Sequence, residues 1–421
     1  MAPAKPDSHV VVVGGGVIGI SCAYFLARRG ARVTVLERAE LGAGASSGNA
    51  GTIAPGHGPV NRPGRVGQAI RSLGDPLSPL YLAPRWDPAL ARWLMTFARY
   101  CTAAHRERAL AALAPLGHAT PSLFHQLVQH ERLECGYRAQ GYYEVYLSDT
   151  RLQAAQSEAQ GQIRYGFGAR VLDGAAMRER EPALQPAIVG GIFFPDGASI
   201  NPERFLLELA DRARRHGAII RTGTEVLEVL TERARVTGVR TADGATVGAD
   251  AVILCTGAYS LALVRRLGLR LPLQAAKGYH CDRDPQPGRT PALTVTCMLG
   301  ETSVFCTPMD GFVRFAGTLE FSGVNHDIRR GRLEQLTRAA AGYLDGVGEA
   351  EARSEWCGLR PCLPDGLPVI GPAPRYQGLY LATGHAMLGL TLGPVTGKLI
   401  AECVLDGVPS LDLGPFRVER F

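Results

Sequence analysis

The chain has 421 residues, of which 46% are hydrophobic and 20% charged, and this balance predicts a globular protein large enough for two domains. The formal net charge is +6, but the sequence contains no basic run, which argues against a nucleic-acid site. No apolar run approaches the roughly 20 residues that a membrane-spanning helix needs. The ten cysteines show no CxxC pair and no metal-ligand spacing, so we expect free core thiols and no metal site.

The N-terminal segment, residues 1–8, is short and polar and lacks the apolar stretch of a secretory signal. We therefore expect a cytoplasmic protein. The mild positive charge allows a weak attraction to an anionic membrane surface, such as the cytoplasmic face of the inner membrane.

A dinucleotide-binding fingerprint follows directly. Residues 10–13 are all valine, which predicts a strand buried on both faces, and three glycines come after it. Gly14 permits a tight turn, Gly16 lets a pyrophosphate approach the backbone, and Gly19 allows the next helix to pack on the strand.

The spacing continues the same motif. A predicted helix over residues 17–29 points its N-terminus, with free N–H groups, at the phosphates. A second strand over residues 32–36 ends at Glu37, whose carboxylate can accept hydrogen bonds from both ribose hydroxyls. The neighbouring Arg38 raises the alternative of a cofactor with a 2′-phosphate, but Glu37 would repel that phosphate.

The C-terminal part of the chain carries a second glycine-rich block, in residues 358–361, 365–372 and 383–389. In a flavin protein, such a glycine-rich C-terminal segment is needed to contact the cofactor a second time. A simple nicotinamide enzyme does not need this segment. The two ends together predict an oxidoreductase with one FAD per chain. No histidine or cysteine motif compels a covalent link to the flavin.

Between these ends, the residue patterns predict many helices and strands. Residues 42–56 form a glycine-rich loop that can lie flat against a ligand, and residues 57–85 lack periodicity. Helical patterns cover residues 88–130, 152–165, 202–216, 332–344 and 393–405. Strands are predicted at residues 142–147, 219–220, 225–230, 236–241, 251–254 and 379–383. Residues 270–315 alternate in the manner of antiparallel strands in a separate sheet.

This combination of motifs resembles the D-amino acid oxidase and glycine oxidase superfamily of flavoproteins, and most of all the FAD subunit of its bacterial D-amino acid dehydrogenase branch. Residues 49–51 and 383–385 are specific to that branch rather than to Rossmann proteins at large. The resemblance rests on residues 11–37, 46–51, 55–56, 256–260, 277–279 and 358–397, and so spans the chain from end to end.

The resemblance implies an α/β fold in which a Rossmann-like FAD-binding domain is interleaved with an α+β substrate domain built on a mixed or antiparallel sheet. The FAD-binding domain would comprise residues 1–85, 196–270 and 355–421. The substrate domain would comprise residues 86–195 and 271–354, and the flavin would lie between the two domains.

The resemblance also implies a reaction. The expected activity is oxidative deamination of a D-amino acid, including cyclic ones such as D-proline or D-hydroxyproline, by hydride transfer from Cα to flavin N5. Electrons would pass to a quinone or another electron-transfer partner rather than to oxygen. Two alternatives stay open: a glycine, sarcosine or D-amino acid oxidase that uses oxygen, and a non-catalytic flavin electron carrier. Partner subunits or a homo-oligomer are compatible with all three.

Four residues are candidates for catalysis. Arg360 occupies the position that clamps the substrate carboxylate in similar oxidases, and a guanidinium fork suits that carboxylate. Tyr279 is a candidate for a hydrogen bond to the same group, and His385 for a position facing the flavin or the substrate amine. Lys277 is one of only three lysines in the chain, and a positive charge near the flavin would favour reaction with oxygen. No residue is identified as a base, and a water molecule can suffice.

The expected cofactor contacts come from both ends of the chain and from the segments that return to it. They are Gly14, Gly16, Val17, Ile18, Gly19, Glu37, Arg38, Ser46, Ser47, Asn49, Ala50, Gly51, Thr52, Val226, Thr256, Gly257, Gly384, His385, Met387, Leu388 and Gly389.

Overall fold

A computed structural model of the protein describes residues 8–71, 75–284, 293–347 and 352–421. The prediction made for residues 1–8 therefore lies outside the described residues, apart from Ser8. The helices are α1 (Val17–Arg28), α2 (Arg65–Arg71), α3 (Pro88–Tyr100), α4 (Ala103–His130), α5 (Asp149–Arg164), α6 (Gly174–Arg180), α7 (Pro202–Arg215), α8 (Ser260–Arg266), α9 (Arg330–Ala341) and α10 (Gly389–Leu405).

The strands form four sheets. They are β1 (His9–Val13), β2 (Arg32–Leu36), β3 (Thr52–Ile53), β4 (Leu80–Leu82), β5 (Tyr142–Tyr146), β6 (Arg170–Asp173), β7 (Gly190–Phe194), β8 (Ala198–Ser199), β9 (Ile219–Arg221), β10 (Val226–Glu232), β11 (Arg235–Thr241), β12 (Thr246–Gly248), β13 (Ala251–Leu254), β14 (Gln274–Arg283), β15 (Cys297–Leu299), β16 (Val304–Met309), β17 (Phe312–Phe321), β18 (Ala352–Cys362), β19 (Val369–Pro372) and β20 (Leu379–Thr383).

The fingerprint strand lies at the centre of a six-stranded sheet with the order β19-β20-β13-β1-β2-β9. Strand β1 is parallel to both of its neighbours, β2 and β13. Val10 and Val12 pack in one core with α1, α7 and α10, whereas Val11 and Val13 pack in another with α8 and the sheet β10-β11-β12. The predicted strand is confirmed, and its all-valine composition follows because both of its faces are buried.

The second large sheet has the order β18-β14-β17-β16-β15-β5-β7-β6, and β4 pairs with β17. The β15–β5 and β17–β4 pairs are parallel and the other pairs are antiparallel. Leu333 and Leu336 of α9 pack against Tyr279 and Cys281 of β14, so α9 covers one face of this sheet. The α/β fold class and the mixed second sheet are thereby confirmed.

Two strands of the second sheet come from segments assigned by sequence to the FAD-binding domain. Strand β4 precedes the expected boundary at residue 85, and most of β18 follows the boundary at residue 354. Their hydrogen bonds join them to β17 and β14. The glycine and proline of residues 358–361 do not end β18, because it is the edge strand of the sheet and an edge tolerates a proline that lacks an N–H group. The division into domains stays a prediction.

Some element boundaries differ from the sequence-based ones. Residues 88–130 form two helices rather than one, and Thr102 begins the second because its hydroxyl accepts a hydrogen bond from the His105 N–H at 3.2 Å. Residues 57–85, which lack periodicity, contain the short elements α2 and β4. The last helix begins at Gly389, four residues before the expected position.

All ten cysteines are free and nine of them are buried, as expected for core thiols. Over the described ranges, no group of three or more His, Cys, Asp or Glu side chains is arranged to hold a metal ion.

Candidate active site

A cavity of about 1000 Å³ is lined by residues of both large sheets. On one side are Val13 of β1 and Cys255 after β13, and on the other are Phe305 of β16 and Arg360 of β18. A cavity of this size suits a large cofactor together with a small substrate.

Two of the three fingerprint glycines, Gly14 and Gly19, occupy positions that leave no room for a side chain. Gly14 has φ +110, and a Cβ there would lie 2.6 Å from the Cys255 carbonyl oxygen. A Cβ at Gly19 would overlap the carbonyl oxygen of Gly14. Gly16 lines the cavity at the N-terminus of α1, where the N–H of Val17 donates to the Ser46 hydroxyl at 2.9 Å. This arrangement leaves bare backbone beside the helix end that attracts phosphate.

Glu37 lies at the end of β2 and also lines the cavity. Its two carboxylate oxygens accept hydrogen bonds from the N–H groups of Gly15 at 2.6 Å and Ala39 at 2.9 Å. These bonds hold the carboxylate in place and leave lone pairs for a ribose. The guanidinium of the neighbouring Arg38 lies 3.5 Å from the ring centre of Tyr259.

Most of the predicted cofactor contacts line this cavity. They are Gly14, Gly16, Val17, Ile18, Glu37, Arg38, Ser46, Asn49, Ala50, Thr52, Val226, Thr256, Gly257, His385, Met387, Leu388 and Gly389. The structure does not bring the other four into its wall. Gly19 instead allows α1 to pack against β1, and Gly51 and Gly384 have positive φ angles in tight turns. Ser47 accepts a hydrogen bond from Arg314 through its carbonyl oxygen.

Arg360 lines the cavity and has no carboxylate partner among the described residues. It pairs with Ala276 across β14 and β18, and its guanidinium lies over Gly278, where a Cβ would come within 2.5 Å of it. Its Nη1 donates to the carbonyl oxygen of Thr318 at 2.5 Å. Burial lowers the pKa of Arg360, and its charge is not balanced by an acid. The site is therefore built to receive an anion.

Thr318 is a residue that the sequence did not point to. It has φ 65, which is rare for a β-branched residue, and it lies where the register between β14 and β17 shifts. The bulge turns its carbonyl toward Arg360. No local sequence pattern distinguishes a threonine in this conformation from any other strand threonine.

Lys277 and Tyr279 lie on the other face of β14, because alternate residues of a strand point in opposite directions. The ammonium of Lys277 donates to the Asn325 side chain and to the Asp327 carbonyl oxygen, and Lys277 does not line the cavity. Tyr279 contributes to the cavity wall, but its hydroxyl donates to Glu320 at 2.9 Å. The structure thus directs the Tyr279 hydroxyl to Glu320 rather than to the carboxylate site at Arg360, and it places Lys277 outside the cavity in which a charge near the flavin was expected.

Glu320 is a fully buried carboxylate that contacts the basic side chains on the Lys277 face of β14. Its carboxylate lies 3.3 Å from Nε of Arg332, which is 2% exposed, and 3.7 Å from Nζ of Lys277. We expect Glu320→Ala to lower the free energy of unfolding by about 3–5 kcal/mol, because two buried cations would lose their counter-charge. Chemical denaturation measures this change. The control is Glu228→Ala, which removes an exposed ion pair worth about 1 kcal/mol or less; equal losses in the two variants would contradict the prediction.

His385 is buried, lines the cavity and shares a hydrogen bond of 3.0 Å between its Nε2 and the Thr396 hydroxyl. Burial lowers its pKa to about 3. The imidazole is therefore neutral at physiological pH, so it can form hydrogen bonds but supplies no charge to a ligand.

A polar wall of the cavity was also missed by the sequence analysis. Arg62 forms two hydrogen bonds to the Glu158 carboxylate, and Arg65 lies close by on α2.

Two titratable residues of this wall have shifted pKa values. Glu144 of β5 accepts a hydrogen bond from the Tyr146 hydroxyl at 2.9 Å, and burial raises the pKa of Glu144 to about 7. Burial lowers the pKa of His57 to about 4. These residues come from segments without a motif, so no local signal marked them.

Comparisons with known proteins agree with this geometry. Residues 9–403 match the family model described as "DAO: FAD dependent oxidoreductase". The D-amino acid dehydrogenase of Methylobacterium radiotolerans is 33% identical over 420 residues, covering 98% of this chain and 99% of that protein. The D-amino acid dehydrogenase of Agrobacterium fabrum is 31% identical over 420 residues, with the same coverage.

Solved structures show the same fold. Glycine oxidase from Geobacillus kaustophilus superposes with a TM-score of 0.80 at 24% identity, covering 98% of this chain and 99% of that one. L-proline dehydrogenase from P. horikoshii gives a TM-score of 0.77 at 18% identity, covering 99% and 98%.

The chain belongs to the DAO family of FAD-dependent oxidoreductases. Its cofactor is FAD, and the glycine cradle, Glu37 and the cavity fit that group. The fold, the family and the cofactor expected from the sequence are confirmed.

Proposed function

We propose that this protein is a dehydrogenase that oxidises D-amino acids at the carbon bearing the amine. The observation that carries the proposal is the unpaired guanidinium of Arg360, which faces the cavity that also contains the FAD-binding residues. A carboxylate is the anion that matches a guanidinium fork. The names of the relatives at 31–33% identity support the D-amino acid as substrate.

When bound, FAD supplies the acceptor for the two electrons that leave the substrate. The residues of the chain orient the substrate. Arg360 binds the α-carboxylate in a bidentate manner, and the carbonyl of Thr318 together with the bare backbone of Gly278 fixes the guanidinium. His385 is neutral and adds no positive charge that would repel the substrate ammonium. The proton of the amine passes to solvent water, and no residue of the chain is assigned as a base.

The acceptor of the electrons is proposed to be a quinone or another electron-transfer partner. The position of Lys277 supports this proposal over the oxygen-using oxidase, because its ammonium is tied to Asn325 and Glu320 outside the cavity. A lysine near the flavin would instead stabilise developing superoxide. The electron-carrier alternative does not explain an arginine placed to receive a carboxylate.

The location at the cytoplasmic face of a membrane is also a proposal. It is supported by three exposed apolar side chains on or next to α2 and α3, namely Trp86 (95% exposed), Ile70 (61%) and Met95 (60%), and by the exposed Arg71 and Arg92 of the same two helices. Exposed apolar side chains with arginines favour an anionic lipid surface. Among the described residues, no helix is both long and apolar enough to cross a membrane. Flotation with anionic vesicles tests this surface, and analytical ultracentrifugation tests a partner subunit or second copy.

Purified protein is expected to be yellow, with one FAD per chain that is released on denaturation. Without oxygen, a D-amino acid should bleach the flavin absorbance, and a panel of D-, cyclic and N-methyl amino acids then identifies the substrate. Reduction of a dye or quinone analogue should be much faster than release of peroxide in air. Equal rates would favour the oxidase, and a flavin that no amino acid reduces would favour the electron carrier.

A further inference from the structure

Arg65 is a second guanidinium in the cavity without a carboxylate partner among the described residues. Its Nη1 donates to the Gln68 side chain at 2.9 Å, and its Nε is buried without a hydrogen-bond partner. Arg62, three residues earlier, contrasts with it. The Nη1 of Arg62 donates to both oxygens of Glu158, at 2.7 and 2.6 Å.

Arg65 lines the same cavity as Arg360. It lines a smaller apolar cavity of about 180 Å³ together with Leu319 and Cys362. Leu319 follows Thr318, whose carbonyl binds Arg360, and Cys362 is two residues beyond Arg360 on the same face of β18. Arg65 and Arg360 therefore both line the large cavity, from the different elements α2 and β18, and residues close to Arg360 and Thr318 along the chain also line the smaller cavity at Arg65.

The charge balance of this region favours an additional anion. A buried guanidinium without an acid is unfavourable, and burial lowers the pKa of Arg65 only to about 10, so the residue stays charged at neutral pH. Two carboxylates in this part of the cavity wall have other partners: Glu158 is paired with Arg62, and Glu144 is paired with a hydroxyl. For Glu144, burial is relieved by protonation. Its pKa is raised to about 7 and it has the Tyr146 hydroxyl as partner, so it can be protonated.

We propose that Arg65 binds a second carboxylate, carried by the side chain of the substrate, so that the preferred substrates are dicarboxylic D-amino acids such as D-glutamate or D-aspartate. This inference rests on the proposed function. Arg360 holds the α-carboxylate, and Arg65 holds the side-chain carboxylate at the other end of the substrate. The guanidinium of Arg65, which has no carboxylate partner among the described residues, then forms a charge-assisted pair with the substrate.

The test compares D-glutamate with D-glutamine, which has the same shape without the second charge. We expect the kcat/KM ratio of the two substrates to favour D-glutamate in the natural protein. Arg65→Gln should lower that ratio roughly tenfold to a hundredfold, the range for hydrogen bonds to a charged group. Arg65→Lys should retain part of the preference. The control is Arg71→Gln, an exposed arginine of the same helix, and it should leave the ratio unchanged.

Binding provides a readout that does not depend on turnover. Calorimetry on the FAD-loaded protein should show tighter binding of glutarate than of its monoamide, and Arg65→Gln should abolish the difference. A preference for D-glutamine or D-lysine over D-glutamate, or equal binding of the two inhibitors, would overturn the role of Arg65. Turnover of neutral D-amino acids in that case would leave the proposed function intact, whereas the lack of any D-amino acid turnover would refute that function instead.

Discussion

Arg360→Ala should lower kcat/KM for the substrate at least tens-fold while leaving the flavin spectrum nearly unchanged. Loss of a buried charge-assisted pair costs about 2–5 kcal/mol, and the proposed contact with the substrate carboxylate is of that kind. Arg360→Lys should recover only part of the loss, because an ammonium keeps the charge but not the bidentate fork. Steady-state kinetics with the dye acceptor measure the effect, and the absorbance spectrum reports whether FAD is still bound normally.

Arg353→Ala is the matched control, since Arg353 lies on the same strand β18. Its side chain is 51% exposed and forms a surface ion pair with Asp284 at 3.3 Å. Such a pair contributes about 1 kcal/mol or less to stability, and the residue does not line the cavity. Near-normal kinetics in a folded Arg360→Ala variant would show that another group binds the carboxylate.

Gly19→Ala should abolish FAD binding and destabilise the protein. The added Cβ would overlap the carbonyl oxygen of Gly14, which is backbone and has no rotamer into which it can move. Helix α1 would have to shift away from β1, and the phosphate-binding turn between them would lose its shape. Overpacking costs about 1–3 kcal/mol and sometimes more, and we expect the upper end or above because backbone must move. FAD content per chain and the midpoint of chemical denaturation measure the two effects.

The control for this variant is Gly248→Ala in β12. There the nearest atom to an added Cβ is the Thr237 carbonyl oxygen at 3.9 Å, an ordinary contact, so the stability should change by only about 0.5 kcal/mol. A Gly19→Ala protein that keeps one FAD per chain and natural stability would mean that α1 does not need its close approach to β1.

The cofactor site could be predicted because its signals are local. Gly14, Gly16, Gly19 and Glu37 belong to one strand–helix–strand unit, so their spacing along the chain determines their positions around a phosphate. The apolar run of residues 10–13 likewise indicated burial on both faces, and the structure has a core on each side. Arg360, the proposed substrate clamp, was found through the resemblance of its segment to known oxidases.

The orientation of Lys277 and Tyr279 could not be predicted from the sequence. Their positions three and five residues after Gln274 on β14 show that they share a face of the strand, but not which face Arg360 shares. That choice depends on α9, which is distant in sequence and packs its leucines against Tyr279. The buried Glu320 then draws both side chains away from Arg360.

The sequence by itself determined the class of fold and the cofactor, because the fingerprint residues that indicate them are neighbours along the chain. Only the tertiary structure decided which other side chains line the cavity with Arg360. Arg65 on α2, Glu144 on β5 and Thr318 on β17 all line the cavity although they belong to three separate segments, and none of these segments carries a motif. Their shared place in the cavity wall, the positive φ of Thr318 and the buried Nε of Arg65 without a hydrogen-bond partner arise from packing between distant elements. The spacing of residues along the chain does not predict such long-range packing.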